Sequence, residues 1–79
     1  MNLKKTGAFL SSLRKEQGLT QSELAEKLGV TDKAVSRWET GRGFPDVAIL
    51  PVLAKALQVS VAELVNGERD TGEPSQRQG

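Results

Sequence analysis

The residues with the clearest chemical potential lie in "TDKAVSRWETGR", positions 31 to 42. Lys33 and Arg37 stand four residues apart, so on a helix they share one face. The planar guanidinium of Arg37 is the side chain best shaped for a bidentate contact to guanine O6 and N7. That is chemistry of recognition, not of catalysis. Two solvated cations on a surface helix would give the same spacing, so the pair alone leaves both readings open. The rest of the composition narrows the choice. The chain has no histidine and no cysteine, which removes zinc sites, thiolate ligands, disulfides and histidine-based acid–base or triad chemistry. Carboxylates are not clustered at a catalytic spacing, so no enzyme, cofactor or metal is expected.

Charge points the same way as the pair. The net value is only +1, but residues 1–42 hold eight Lys/Arg against five Asp/Glu, whereas residues 43–67 and 68–79 each sum to −1. Positive charge thus gathers in the half that carries Lys33 and Arg37, a mild hint of a polyanionic partner that an ordinary solvated surface would explain equally well. With 79 residues the chain holds one small domain, which buries only about 60% of its unfolded surface and depends on good local specification. No apolar run approaches the ~20 residues of a membrane span, and "MNLKKTGAFLSSLRKEQG" lacks the continuous apolar region of a signal peptide. A cytoplasmic protein is expected.

The elements that must position these residues are written as helix starts. "TQSE" is a capping box: the Thr20 hydroxyl takes the N–H of Glu23 while the Glu23 carboxylate reaches back to residue 20. Leu19 and Leu24 bracket it as a hydrophobic staple. Thr31 caps "VTDKAV" with Val30 and Val35 as the staple, and Ser60 caps "VSVAEL" with Glu63 closing the box. The spacing predicts a first helix through Phe9, Leu10 and Leu13 that stops at Gly18, a second from about Gln21 to Leu28, and a third from about Asp32 to Thr40. "GRGFPD" is a loop. A fourth helix buries Leu50, Leu53, Ala54 and Leu57; its start is either capped by Asp46, with Pro51 distorting the first turn, or lies nearer Ile49. A fifth covers about Val61 to Asn66. The fold class is all-α, a compact five-helix bundle over residues 1–67, and 68–79 reads as a disordered tail or linker.

The second and third helices, separated by one glycine, have the pattern of a helix–turn–helix over about 21–40. Ala25 is small where the helices cross, Gly29 permits the sharp turn, and Val35 with Trp38 anchors the third helix to the core. Here the sequence resembles the Cro/C1-type, or xenobiotic response element, family of helix-turn-helix transcriptional regulators. "LRKEQGLTQSELAEKLGVTDKAVSRWETG" and "LAKALQVSVAELVNG" carry the resemblance, which spans roughly residues 6–67. It implies a phage-repressor-type bundle that binds operator double-stranded DNA, of bacterial or phage origin, as dimers on palindromic sites. It also implies that the helix starting at Asp32 is the recognition helix, with Asp32, Lys33, Ala34, Ser36 and Arg37 as base-reading candidates. Asp32 could accept from cytosine N4 or simply stabilise the first helical turn; Ala34 could touch a thymine methyl or only permit close approach. Gln21, Ser22, Thr31 and Arg42 match phosphate-contacting positions, and Arg14 with Glu39 matches a partly buried structural salt bridge.

A protein-interaction or antitoxin-like module on the same fold is the alternative, although such a module need not keep Lys33, Arg37 and Arg42. Self-association is expected to be weak or to occur on DNA, using the fourth and fifth helices, where Val52 and Val65 fall outside the inward stripe. Both valines could equally be ordinary surface residues. An effector domain beyond this chain is compatible with the tail.

Overall fold

The computed structural model describes residues 2–70. Its elements are α1 (Leu3–Glu16), α2 (Gln21–Leu28), α3 (Asp32–Glu39), a 3₁₀ turn (Val47–Ile49), α4 (Leu50–Leu57) and α5 (Val61–Asn66). The helix starts follow their side-chain chemistry. Thr20 and Ser60 each accept from the backbone N–H three residues on, at 3.0 Å, and Glu23 and Glu63 each return the bond at 2.8 Å. Thr31 accepts from the N–H of Ala34 at 3.1 Å without the reciprocal half, because residue 34 carries no carboxylate. α1 begins earlier than its apolar spacing suggests, because the Asn2 side chain caps it by accepting from the N–H of Lys5.

The start of α4 follows the second expectation, since it begins after Ile49 and the Asp46 side chain caps nothing. Asp46 offers its carbonyl to the N–H of Ile49, closing the 3₁₀ turn, and Pro51 then lies in the first turn of α4, where its missing N–H costs least. Segment 68–79 falls mostly outside the described residues. Of its first residues, Glu68 pairs with Lys5 at 2.8 Å and Arg69 with Glu16 at 2.6 Å, which brings the chain after α5 alongside α1.

The core is built from Leu10 and Leu13 of α1, Leu24, Ala25 and Leu28 of α2, Val35 and Trp38 of α3, Leu50, Leu53, Ala54 and Leu57 of α4, and Leu64 of α5. Phe9 and Val30 pack against it while partly exposed. Two glycines set the geometry of the α2–α3 unit. Gly29 takes φ +72° and ends α2 in the left-handed conformation that lets the chain turn into α3. Gly7 allows α1 to lie directly on the end of α3: a Cβ there would collide with the Trp38 carbonyl oxygen and stand 2.8 Å from that of Glu39.

α4 ends differently. Gln58 takes φ 62°, a left-handed conformation without glycine's freedom, and it is the one such residue among those described. Its side chain reaches Gln17 through an exposed bond of 3.2 Å. Gln58→Gly is expected to stabilise the domain by about 0.5–1 kcal/mol, because relief of the strained cap outweighs one exposed hydrogen bond and some added chain entropy. Urea unfolding checks this; a lowered midpoint would show that the Gln17 contact matters more than the backbone.

Candidate nucleic-acid interface

The interface begins at the N-terminus of α2. The first-turn N–H groups of Gln21 and Ser22 lack intrahelical partners, and the helix dipole favours an anion in front of them. An open groove runs past this point, lined by Arg14, Lys15, Leu19, Gln21, Ser22 and Asp32. The first residue of α3 therefore faces the first turn of α2 across one depression. Lys15 is exposed on its rim, and sequence reasoning did not single it out. Its signal was weak: a lone lysine one turn before a helix stop shows no partner until the fold brings α2 beside it.

α3 presents Thr31, Asp32, Lys33 and Arg37 as exposed residues, with Ser36 half-buried. Ala34 is half-buried and packs against the core, so it forms part of the seat on which the exposed residues stand. Thr31 uses one hydroxyl lone pair for its cap and keeps its own proton to donate. Arg37 does not extend freely: its Nη2 donates to the carbonyl of Arg42 at 3.2 Å. Four of its five N–H bonds remain, enough for a bidentate contact. Arg42 itself is exposed in the loop between α3 and α4.

Behind this face lies a polar knot. Arg14 binds Glu39 through two parallel bonds, Nε to Oε2 at 2.6 Å and Nη2 to Oε1 at 3.0 Å. Arg14 Nη1 also donates to the Leu19 carbonyl at 2.8 Å, and Gln21 Nε2 donates to Glu39 Oε1 at 3.0 Å. The side chains are only 11% and 5% exposed. Burial pushes the Glu39 carboxyl up, but the hydrogen bonds from Arg14 and Gln21 and the Arg14 charge outweigh it and hold the group below the ordinary carboxylate range. The knot ties α1, the start of α2 and the end of α3 to one another. Gln21 thereby reaches inward to Glu39 from the first turn of α2, which lines the groove.

This arrangement, two short helices with the N-terminus of one beside the exposed first turns of the next, has counterparts among known proteins. The helix-turn-helix family model matches residues 10–64. The chain belongs to the Cro/C1-type helix-turn-helix family. This Cro/C1-type domain is 42% identical over 59 residues to the HTH-type transcriptional activator BcrR of Enterococcus faecalis, a match that covers 75% of this chain but 29% of BcrR. It is 40% identical over 72 residues to the HTH-type transcriptional regulator y4dJ of Sinorhizobium fredii, covering 90% of this chain and 94% of that protein. The P22 c2 repressor, solved in complex with a synthetic operator, aligns with a TM-score of 0.76 at 33% identity, over 80% of this chain and 96% of that one. The five-helix architecture of the Cro/C1-type domain is thus that of the phage repressors. Among the described residues no helix is long and apolar enough to cross a membrane.

Proposed function

We propose that this chain is a sequence-specific double-stranded DNA-binding transcriptional regulator that reads the major groove with the first turns of α3. The observation that carries this is the apposition of the α2 N-terminus and Asp32, the first residue of α3, along one groove, in a family whose P22 c2 member is solved on an operator. In a helix-turn-helix the second helix enters the major groove by its N-terminal residues. Asp32, Lys33, Ser36 and Arg37 then face base edges, with Ala34 in the seat beneath them and Arg37 suited to guanine. The first-turn N–H groups of α2, with Gln21, Ser22, Thr31, Arg42 and Lys15, hold phosphate oxygens on either side. No step of this reading involves catalysis.

Selection of bound duplexes from a random library tests the reading and defines the operator. Arg37→Ala is expected to weaken binding to the selected site by about 1–3 kcal/mol and to relax preference at one base pair. Arg42→Ala should instead weaken binding on every duplex by a similar factor, since a phosphate grip carries no sequence information. An Arg42 variant with a changed consensus would reverse the two roles.

Two turns of helix read too few base pairs for a selective site, so the regulator is proposed to act as a pair on half-sites about one helical turn apart, ~34 Å centre to centre. Val52 is 48% exposed on α4, Val47 81% exposed just before it, and Val65 is half-buried on α5. Individually exposed valines offer little apolar area for pairing, which supports a monomer at micromolar concentration that pairs on a palindrome. Sedimentation of the free protein and of the operator complex checks this; a tight dimer without DNA would overturn it.

A further inference from the structure

The loop between α3 and α4 is held at both ends. Gly41, at its start, lies against Lys4 of α1, whereas Phe44 packs against the core and Pro45 is buried at its finish. Only Arg42 and Gly43 stand between these anchors, and they form the tip that carries the cation. Residues 37 and 42 clasp one another twice. The N–H of Arg42 donates to the carbonyl of Arg37 at 2.8 Å, and the Arg37 guanidinium returns a bond to the carbonyl of Arg42 at 3.2 Å. Thr40 secures the same turn by donating its hydroxyl to the carbonyls of Ser36 and Arg37. The Arg37 side chain also covers Gly43: the three atoms nearest to a Cβ built at Gly43 are Nη2 at 3.1 Å and Cζ and Nε at 3.8 Å, all of Arg37. Glycine at 43 is therefore the cradle in which the guanidinium lies.

We propose that Arg37 is the positioning residue of the α3–α4 loop tip, so that base reading by α3 and phosphate contact by Arg42 operate as one unit. The proposal rests on the DNA-binding reading for its consequence, but not for its structural half. Without the guanidinium, the tip has one backbone bond to the helix end and a glycine with no side-chain cover. Arg42 would then sample many directions, and ordering it on DNA would cost chain entropy that the clasp has already removed. A lysine at 33 has no such contact and serves as the control.

The test has two arms. In the free protein, backbone 15N relaxation compares the parent with Arg37→Ala and Lys33→Ala, after unfolding midpoints establish that all three are folded. Order parameters of the Arg42 and Gly43 amides are expected to fall from about 0.85 toward about 0.6 in Arg37→Ala alone. Unchanged order at the tip in that variant overturns the proposal, whether or not the protein binds DNA. On duplex DNA, removing Arg42 should lower affinity at least about threefold less in the Arg37→Ala background than in the parent. The salt dependence of Arg37→Ala should also be shallower by about one unit, the share belonging to Arg42. Additive losses from the two substitutions would show that the clasp does not carry into the complex and would also overturn the proposal. If no duplex binds the parent, the functional reading fails while the relaxation arm still decides the loop.

Discussion

Trp38→Ala is expected to lower the stability of the domain by about 3–5 kcal/mol and to leave it largely unfolded at 37 °C. The indole is 9% exposed, and with Val35 it forms the apolar underside of α3. Replacing a buried aromatic by alanine loses its transfer free energy and leaves a cavity that neighbouring side chains only partly fill. A domain of this length has on the order of 5 kcal/mol of total stability. α3 is only eight residues long, so it cannot persist as an isolated helix and depends on this anchor. The loss should therefore reach DNA binding through the fold and affect every duplex alike. Far-UV circular dichroism with urea unfolding measures it, with Trp38→Phe as the variant that keeps most of the buried area. A Trp38→Ala protein with the parent's unfolding midpoint would place the indole outside the core.

The elements were legible because their signals are local. Thr20–Glu23 and Ser60–Glu63 fix helix starts within four residues, and Gly29, Gly41 and Gly67 mark helix ends by positive φ. The apolar stripe of Leu50, Leu53, Ala54 and Leu57 gave the fourth helix its buried face. Signals that depend on a distant partner were not legible. Gly7 looks like a poor residue inside a helix until the Trp38 and Glu39 carbonyls are seen against it. Gln58 gives no hint of a left-handed cap, since residues other than glycine rarely adopt that conformation. At the site, the residue types and the α3 face followed from spacing and family resemblance. The inward bond from Gln21 to Glu39, the position of Lys15 on the groove and the clasp between Arg37 and Arg42 did not, because each joins positions that only tertiary packing brings together.

The Arg14–Glu39 pair provides the second large effect, and one with a pH signature. Glu39→Ala should cost about 3–5 kcal/mol near neutral pH. It leaves the Arg14 guanidinium buried with only the Leu19 carbonyl, and it removes the acceptor of Gln21. Glu39→Gln keeps the shape and tests the charge. In the parent, the folded state holds the Glu39 carboxyl below its ordinary value, so the carboxylate binds fewer protons folded than unfolded. Its contribution is therefore complete above the unfolded value of ~4.3 and is lost as the pH falls through the lower folded value. The stability gap between parent and Glu39→Gln should stay constant from about pH 7 to 5 and then narrow as acid protonates the parent. Glu16 and Glu63 are also held low, by the hydrogen bond from Arg69 and by backbone N–H donors respectively, so both proteins will lose stability in acid. Only the difference between them isolates Glu39. Urea unfolding at a series of pH values gives that difference, and a gap that remains constant to pH 3 would mean that the carboxylate contributes by packing alone. The same variant bears on recognition. Glu39 joins the end of α3 to Gln21 at the start of α2, so weakening it should loosen the angle between the two helices. The expected result is a loss of affinity on the selected operator that exceeds the loss on random duplex, because base contacts require that angle and phosphate contacts tolerate its variation.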